Sequence, residues 1–220
     1  MLRTVFTAAT AAVLAAAALV PSAAAAPPRA PLPGPAEPVT IDLVQVNGSG
    51  CRPGTASVAV SPDNTAFTVT YSEYLAQVGV GAQPIDFRKN CQLGLRVNIP
   101  QGFTYAIAQA DYRGFLSLAQ GASGRQKASY YFQGMSQTQY RSHSFQGPQQ
   151  GNWQVSDTAG LEALVYAPCG EQRNFNINTE LLTSAGTSDP ATTNSFMAMD
   201  STDGSISTKY HFSWKACPVR

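Results

Sequence analysis

Cys91-Gln92-Leu93-Gly94-Leu95-Arg96-Val97-Asn98-Ile99 sets an apolar side chain at every odd position and places Gln, Gly, Arg and Asn between them. A period of two sorts these side chains onto opposite faces of a strand, whereas a helix would scatter them around its surface. The stretch therefore reads as a strand with one face buried, and the pattern recurs on both sides of it. Phe67, Val69 and Tyr71 alternate with threonines, and Phe103, Tyr105 and Ile107 follow. Phe175, Ile177 and Leu181 oppose Asn174, Asn176, Asn178 and Glu180, while Tyr210, Phe212 and Trp214 oppose Lys209, His211, Ser213 and Lys215. Turn signals separate the runs: Pro62-Asp63-Asn64, Pro100-Gln101-Gly102, Gly147-Pro148 and Asp203-Gly204, the last suited to a hairpin. No capped amphipathic helix and no internal repeat is found. The reading is an all-β domain of antiparallel strands, a β-sandwich or a jelly-roll-like fold.

The chain opens on an export signature. Arg3 supplies the positive start, Thr4 to Val20 an uncharged Ala-rich stretch, and Ser22-Ala23-Ala24-Ala25-Ala26 a small-residue cleavage region. Residues 1–25 are thus expected to be a signal peptide and the protein to be secreted. No later stretch is apolar enough to span a membrane. Residues 26–38 hold many prolines, which remove backbone donors and favour extended polyproline II, so they read as a linker ahead of a single domain over 39–220. Without Arg3 the 14 basic residues become 13, against 13 acidic ones, so no overall basic excess is available to hold nucleic acid.

The four cysteines, in an exported chain, most simply form two disulfides. Of the three connectivities, Cys51 to Cys91 and Cys169 to Cys217 is favoured because each clips neighbouring chain and leaves the middle hairpins free. Loops of about 41 and 49 residues would each contribute on the order of 4 kcal/mol in the chain-entropy account. Zinc ligation is disfavoured, because no close cysteine pair exists and only two histidines are present.

Five motifs occur in order: Asn47-Gly48-Ser49-Gly50-Cys51-Arg52-Pro53-Gly54, Arg88-Lys89-Asn90-Cys91-Gln92-Leu93, Asp111-Tyr112-Arg113-Gly114-Phe115, Ala167-Pro168-Cys169-Gly170 and Trp214-Lys215-Ala216-Cys217. Together they resemble the domain of unknown function 4360 family, small secreted proteins of fungi and actinobacteria. The similarity runs from Val39 to Cys217 and includes all four cysteines. It implies no catalytic role and no cofactor.

Catalytic patterns are missing. No Gly-x-Ser-x-Gly elbow exposes a serine, and metalloprotease, P-loop and dinucleotide-binding patterns are absent. Asp200 to Gly204 lacks a third acidic position and a distal glutamate for calcium, and reads as a turn. His143 and His211 read as solvated strand positions unless a nucleophile and a carboxylate converge on one of them. Asp111, Glu73, Asp86, Glu162 and Glu180 offer carboxylates, but no spacing selects a glycosidase pair. Binding signals are better represented. Tyr112 and Arg113 combine a ring with a guanidinium fork, and Gln133 to Gln154 carries Tyr140, Phe145 and Trp153 among amides and glycines, as a sugar-stacking surface would. The asparagine row Asn174, Asn176, Asn178 is another amide-rich surface. The expected protein is a monomeric binding module for an extracellular glycan or cell-wall polymer, with Tyr112, Arg113, Tyr140 and Trp153 as candidate contacts. A secreted hydrolase and a cell-surface structural protein are the alternatives.

Overall fold

A computed structural model describes residues 33–160, 163–199 and 207–218. The region read as a signal peptide, Glu162, the Asp200 to Gly204 segment and the Asp203-Gly204 turn lie outside these residues. The described chain forms twelve strands and no α-helix, as the alternation predicts. They are β1 (Thr40–Asn47), β2 (Ala56–Val60), β3 (Ala66–Tyr71), β4 (Leu75–Gly79), β5 (Arg88–Asn98) and β6 (Phe103–Leu118). Then come β7 (Ser123–Phe132), β8 (Gln139–Gln146), β9 (Gln149–Thr158), β10 (Phe175–Ser184), β11 (Asn194–Ala198) and β12 (Thr208–Ala216).

All pairings are antiparallel and build two sheets. One has five strands in the order β1-β5-β10-β7-β8. The other, seven-stranded, centres on the long β6, which pairs β12 along its first half, β11 near its end and β9 along its opposite edge. The inward positions of both sheets close over one core. Leu93, Leu95, Ile177 and Leu181 come from the five-stranded sheet, and Phe67, Tyr112, Leu116 and Tyr210 from the seven-stranded sheet. Tyr105 packs between the sheets, its ring centroid 5.5 Å from both Phe132 and Phe212. Such edge-to-face pairs each add about 0.5–1.5 kcal/mol to the burial itself.

Both disulfides form as expected, with Cα separations of 5.3 Å for Cys51–Cys91 and 5.8 Å for Cys169–Cys217. The first is buried beneath the β1–β5 edge; the second is half-exposed and ties the loop after β9 to the end of β12.

Residues 33–38, the end of the Pro-rich segment, lie against the domain. The buried Asn64 donates from Nδ2 to the carbonyls of Pro35 and Glu37, each at 2.9 Å, and accepts from the Val39 amide at 3.1 Å. Asn64 holds this position in the left-handed region, at φ 54°, a conformation asparagine tolerates better than most residues.

Candidate functional site

Strand registers, more than local motifs, assemble a polar depression on the outer face of the five-stranded sheet. On the outer face of the five-stranded sheet Gln92 lies beside Asn178, Asn178 beside Ser129, and Ser129 beside Tyr140. One step along, Asn90, Glu180, Lys127 and Ser142 form a second row across the same four strands. Three inter-strand gaps make each row about 14 Å long. The rows floor a depression of about 600 Å³. Tyr140, 73% exposed, stands at its rim on the edge strand β8.

Glu180 is the one carboxylate among the described residues lining this depression. Burial alone would raise its pKa, but the bonds from Lys127 (3.1 Å) and Arg88 (2.6 Å) outweigh it and hold the group below the ordinary carboxylate value. It stays ionised and has no second carboxylate across from it, so the paired acid and base of glycoside hydrolysis are not assembled here.

The four candidate contacts go to different places. Tyr112 is fully buried, its ring 6.3 Å from that of Tyr210. Trp153 is also buried, against Phe145 at 5.3 Å. Neither offers a ring face to solvent. Arg113 is exposed, but on the outer face of the seven-stranded sheet beside Gln154. Tyr140 alone of the four borders the depression. The asparagine row is split as well: Asn178 lines the depression, while Asn176 is buried.

Both histidines differ from the solvated positions expected of them, because each is held by a carboxylate. His211 Nε2 lies 2.7 Å from Asp111 Oδ2, and His143 Nε2 lies 2.7 Å from Asp157 Oδ1. Around Asp111, burial acts to raise the pKa, and bonds from Ser156 (2.6 Å), Gln109 (2.8 Å) and His211 reverse that into a net lowering. The Ser156 hydroxyl donates to the carboxylate, not to the imidazole. A hydrolytic triad needs the serine on the histidine, with the carboxylate behind it. The remaining carboxylates are dispersed: Glu73 pairs with Arg52, and Asp86 with Lys89. Among the described residues no three His, Cys, Asp or Glu side chains converge as metal ligands, and no helix is long and apolar enough to cross a membrane.

A second depression, of about 700 Å³, lies at one end of the sandwich between the β5–β6 turn and the loop that carries Cys169. Its acidic residue, Glu171, is bonded to Arg173 at 2.9 Å.

The residues missing from a sequence-based site are Asn90, Gln92, Lys127, Ser129 and Ser142. They are ordinary polar strand positions, and only the pairing of β5, β10, β7 and β8 gathers them. The asparagine row and Tyr140 in the Gln133 to Gln154 stretch carried the local signals of this face.

Over residues 37–217 the sequence matches the family described as Domain of unknown function (DUF4360). A protein of Arthroderma benhamiae named "Uncharacterized secreted protein" is 32% identical over 183 residues, which cover 82% of this chain and 74% of that protein.

Proposed function

The chain belongs to the DUF4360 family, and for this secreted, disulfide-stabilised β protein we propose a noncatalytic role in binding an extracellular glycan or cell-wall polymer on the outer face of its five-stranded sheet. The observation that carries the reading is the row Gln92, Asn178, Ser129, Tyr140. It sets amides and a hydroxyl in line with an exposed aromatic ring over about 14 Å. Amides exchange hydrogen bonds with sugar hydroxyls, and the ring gives an apolar face for stacking. The protein acts as a monomer in this reading, since one sheet supplies the whole row.

Retention on insoluble glycans tests it. Tyr140→Ala should weaken retention about tenfold, the loss expected when a stacked ring is removed, and Asn178→Ala should weaken it further. Unchanged retention by both folded variants would discard the face. A hydrolase is the second reading and rests on the His211–Asp111 and His143–Asp157 pairs. Turnover of a polysaccharide or ester that His211→Ala or His143→Ala abolishes would carry it.

A further inference from the structure

The ligand class of the concave face can be narrowed by charge, an inference that rests on the binding reading above. Arg88 and Arg125 share one row on this face, and Lys127 stands in the next. Glu180 is the opposing carboxylate, already bonded to Arg88 and Lys127. Three cations against one anion leave an excess of two positive charges on this face, in a protein whose full sequence carries a net charge of +1.

Arg125 adds donor capacity that no carboxylate takes up: it is half-buried in its row, and no ion pair among the described residues includes it. The Lys127 row lies about 7 Å along the strands from the Tyr140 row, so a substituent on a stacked sugar would extend toward the cations.

We infer that this face takes an anionic glycan, a polymer whose sugar rings carry carboxylate or phosphate groups. The rings lie along Tyr140 and the amides, and the acid groups meet Arg88, Arg125 and Lys127. Guanidinium forks suit either acid group, because both accept two parallel hydrogen bonds.

Affinity electrophoresis of the mature protein tests this, using gels that contain polygalacturonate, the same polymer methyl-esterified, a glycerol-phosphate teichoic acid, or neutral dextran. One or both anionic polymers should retard the protein, the ester and dextran should do so less, and retardation should fall as salt rises from about 50 to 500 mM. Lys127→Gln should weaken binding about threefold, and adding Arg125→Gln about tenfold in all, with circular dichroism unchanged. Equal retardation by the acid and its ester, insensitive to salt, would overturn the charge assignment and leave the binding face standing. Failure of all four polymers and of insoluble glycans to bind folded protein would overturn the reading beneath it. A single-stranded oligonucleotide that retards the protein as strongly as either acidic polymer would overturn the assignment to a sugar.

Discussion

Gln126 is 0% exposed, and neither its amide oxygen nor its nitrogen has a partner among the described residues. It faces inward on β7 opposite His143, and the hydroxyls of Tyr112, Tyr130 and Tyr210 in the same core also lack such partners. An unpaired buried polar group costs about 1–3 kcal/mol, so Gln126→Leu should leave the urea midpoint unchanged or raise it. A loss above about 2 kcal/mol would show that the amide is hydrogen-bonded in solution. At the surface, bonds from Ser61 and Thr65 hold Asp63 at about 2, below the usual 3.8. The same value of about 2 holds for Asp86, through Lys89 first and then the Gln83 amide. A carboxyl whose folded pKa is depressed binds its proton more weakly folded than unfolded. Its stabilisation is therefore present above about pH 4 and is lost as pH falls toward 2. The thermal midpoint should drop across that window, and Asp86→Asn should shallow the drop; a midpoint flat from pH 5 to 2 would contradict it.

The crossing from β8 to β9 separates what alternation reveals from what it conceals. In Cys91 to Ile99 the period of two identifies the buried face, and Cys91, Leu93, Leu95 and Val97 are indeed buried. In Gln133 to Gln154 the same period cannot show that β8 pairs with β7 in one sheet while β9 pairs with β6 in the other. The two strands diverge after Gly147-Pro148, so Phe145 and Trp153 turn inward and Tyr140 turns out. The candidate face is hidden from sequence for a related reason. Its Arg88–Glu180 ion pair joins residues 92 positions apart, and no local pattern encodes that pairing. Gly114 marks the β6–β9 contact, since a Cβ there would meet the Trp153 indole and the Ala198 carbonyl. Two variants separate the roles of the two strands. Trp153→Ala should cost about 3–5 kcal/mol in urea unfolding, as a buried indole is lost. Tyr140→Ala should stay within about 0.5 kcal/mol of the parent and act on binding alone. Equal stability losses in the two variants would contradict this placement.

At the scale of the whole molecule, two disulfides and one capping segment close a sandwich whose chain ends would otherwise be loosely held. The spacing of the cysteines was enough to favour the observed pairing, because short connections in sequence are also short across this fold. The capping segment was not legible, since a run rich in proline reads as extended whether it hangs in solvent or lies on a surface. Its attachment depends on Asn64, in the turn before β3, and on Trp214, near the end of β12. Trp214 Nε1 donates to the Asn64 carbonyl at 2.9 Å, and Gly34 packs against the same indole. One turn thereby joins the start of the domain to its last strand. Deleting residues 33–38 would remove the acceptors at Pro35 and Glu37 and uncover the indole, leaving the Asn64 amide nitrogen to seek water. At about 1 kcal/mol per net hydrogen bond, a chain beginning at Val39 should be about 2–3 kcal/mol less stable than one beginning at Pro33. Asn64→Ala in the longer chain should cost a similar amount, and combining it with the deletion should add little, because both remove the same contacts. Equal urea midpoints for the two chain lengths would return residues 33–38 to the role of a spacer.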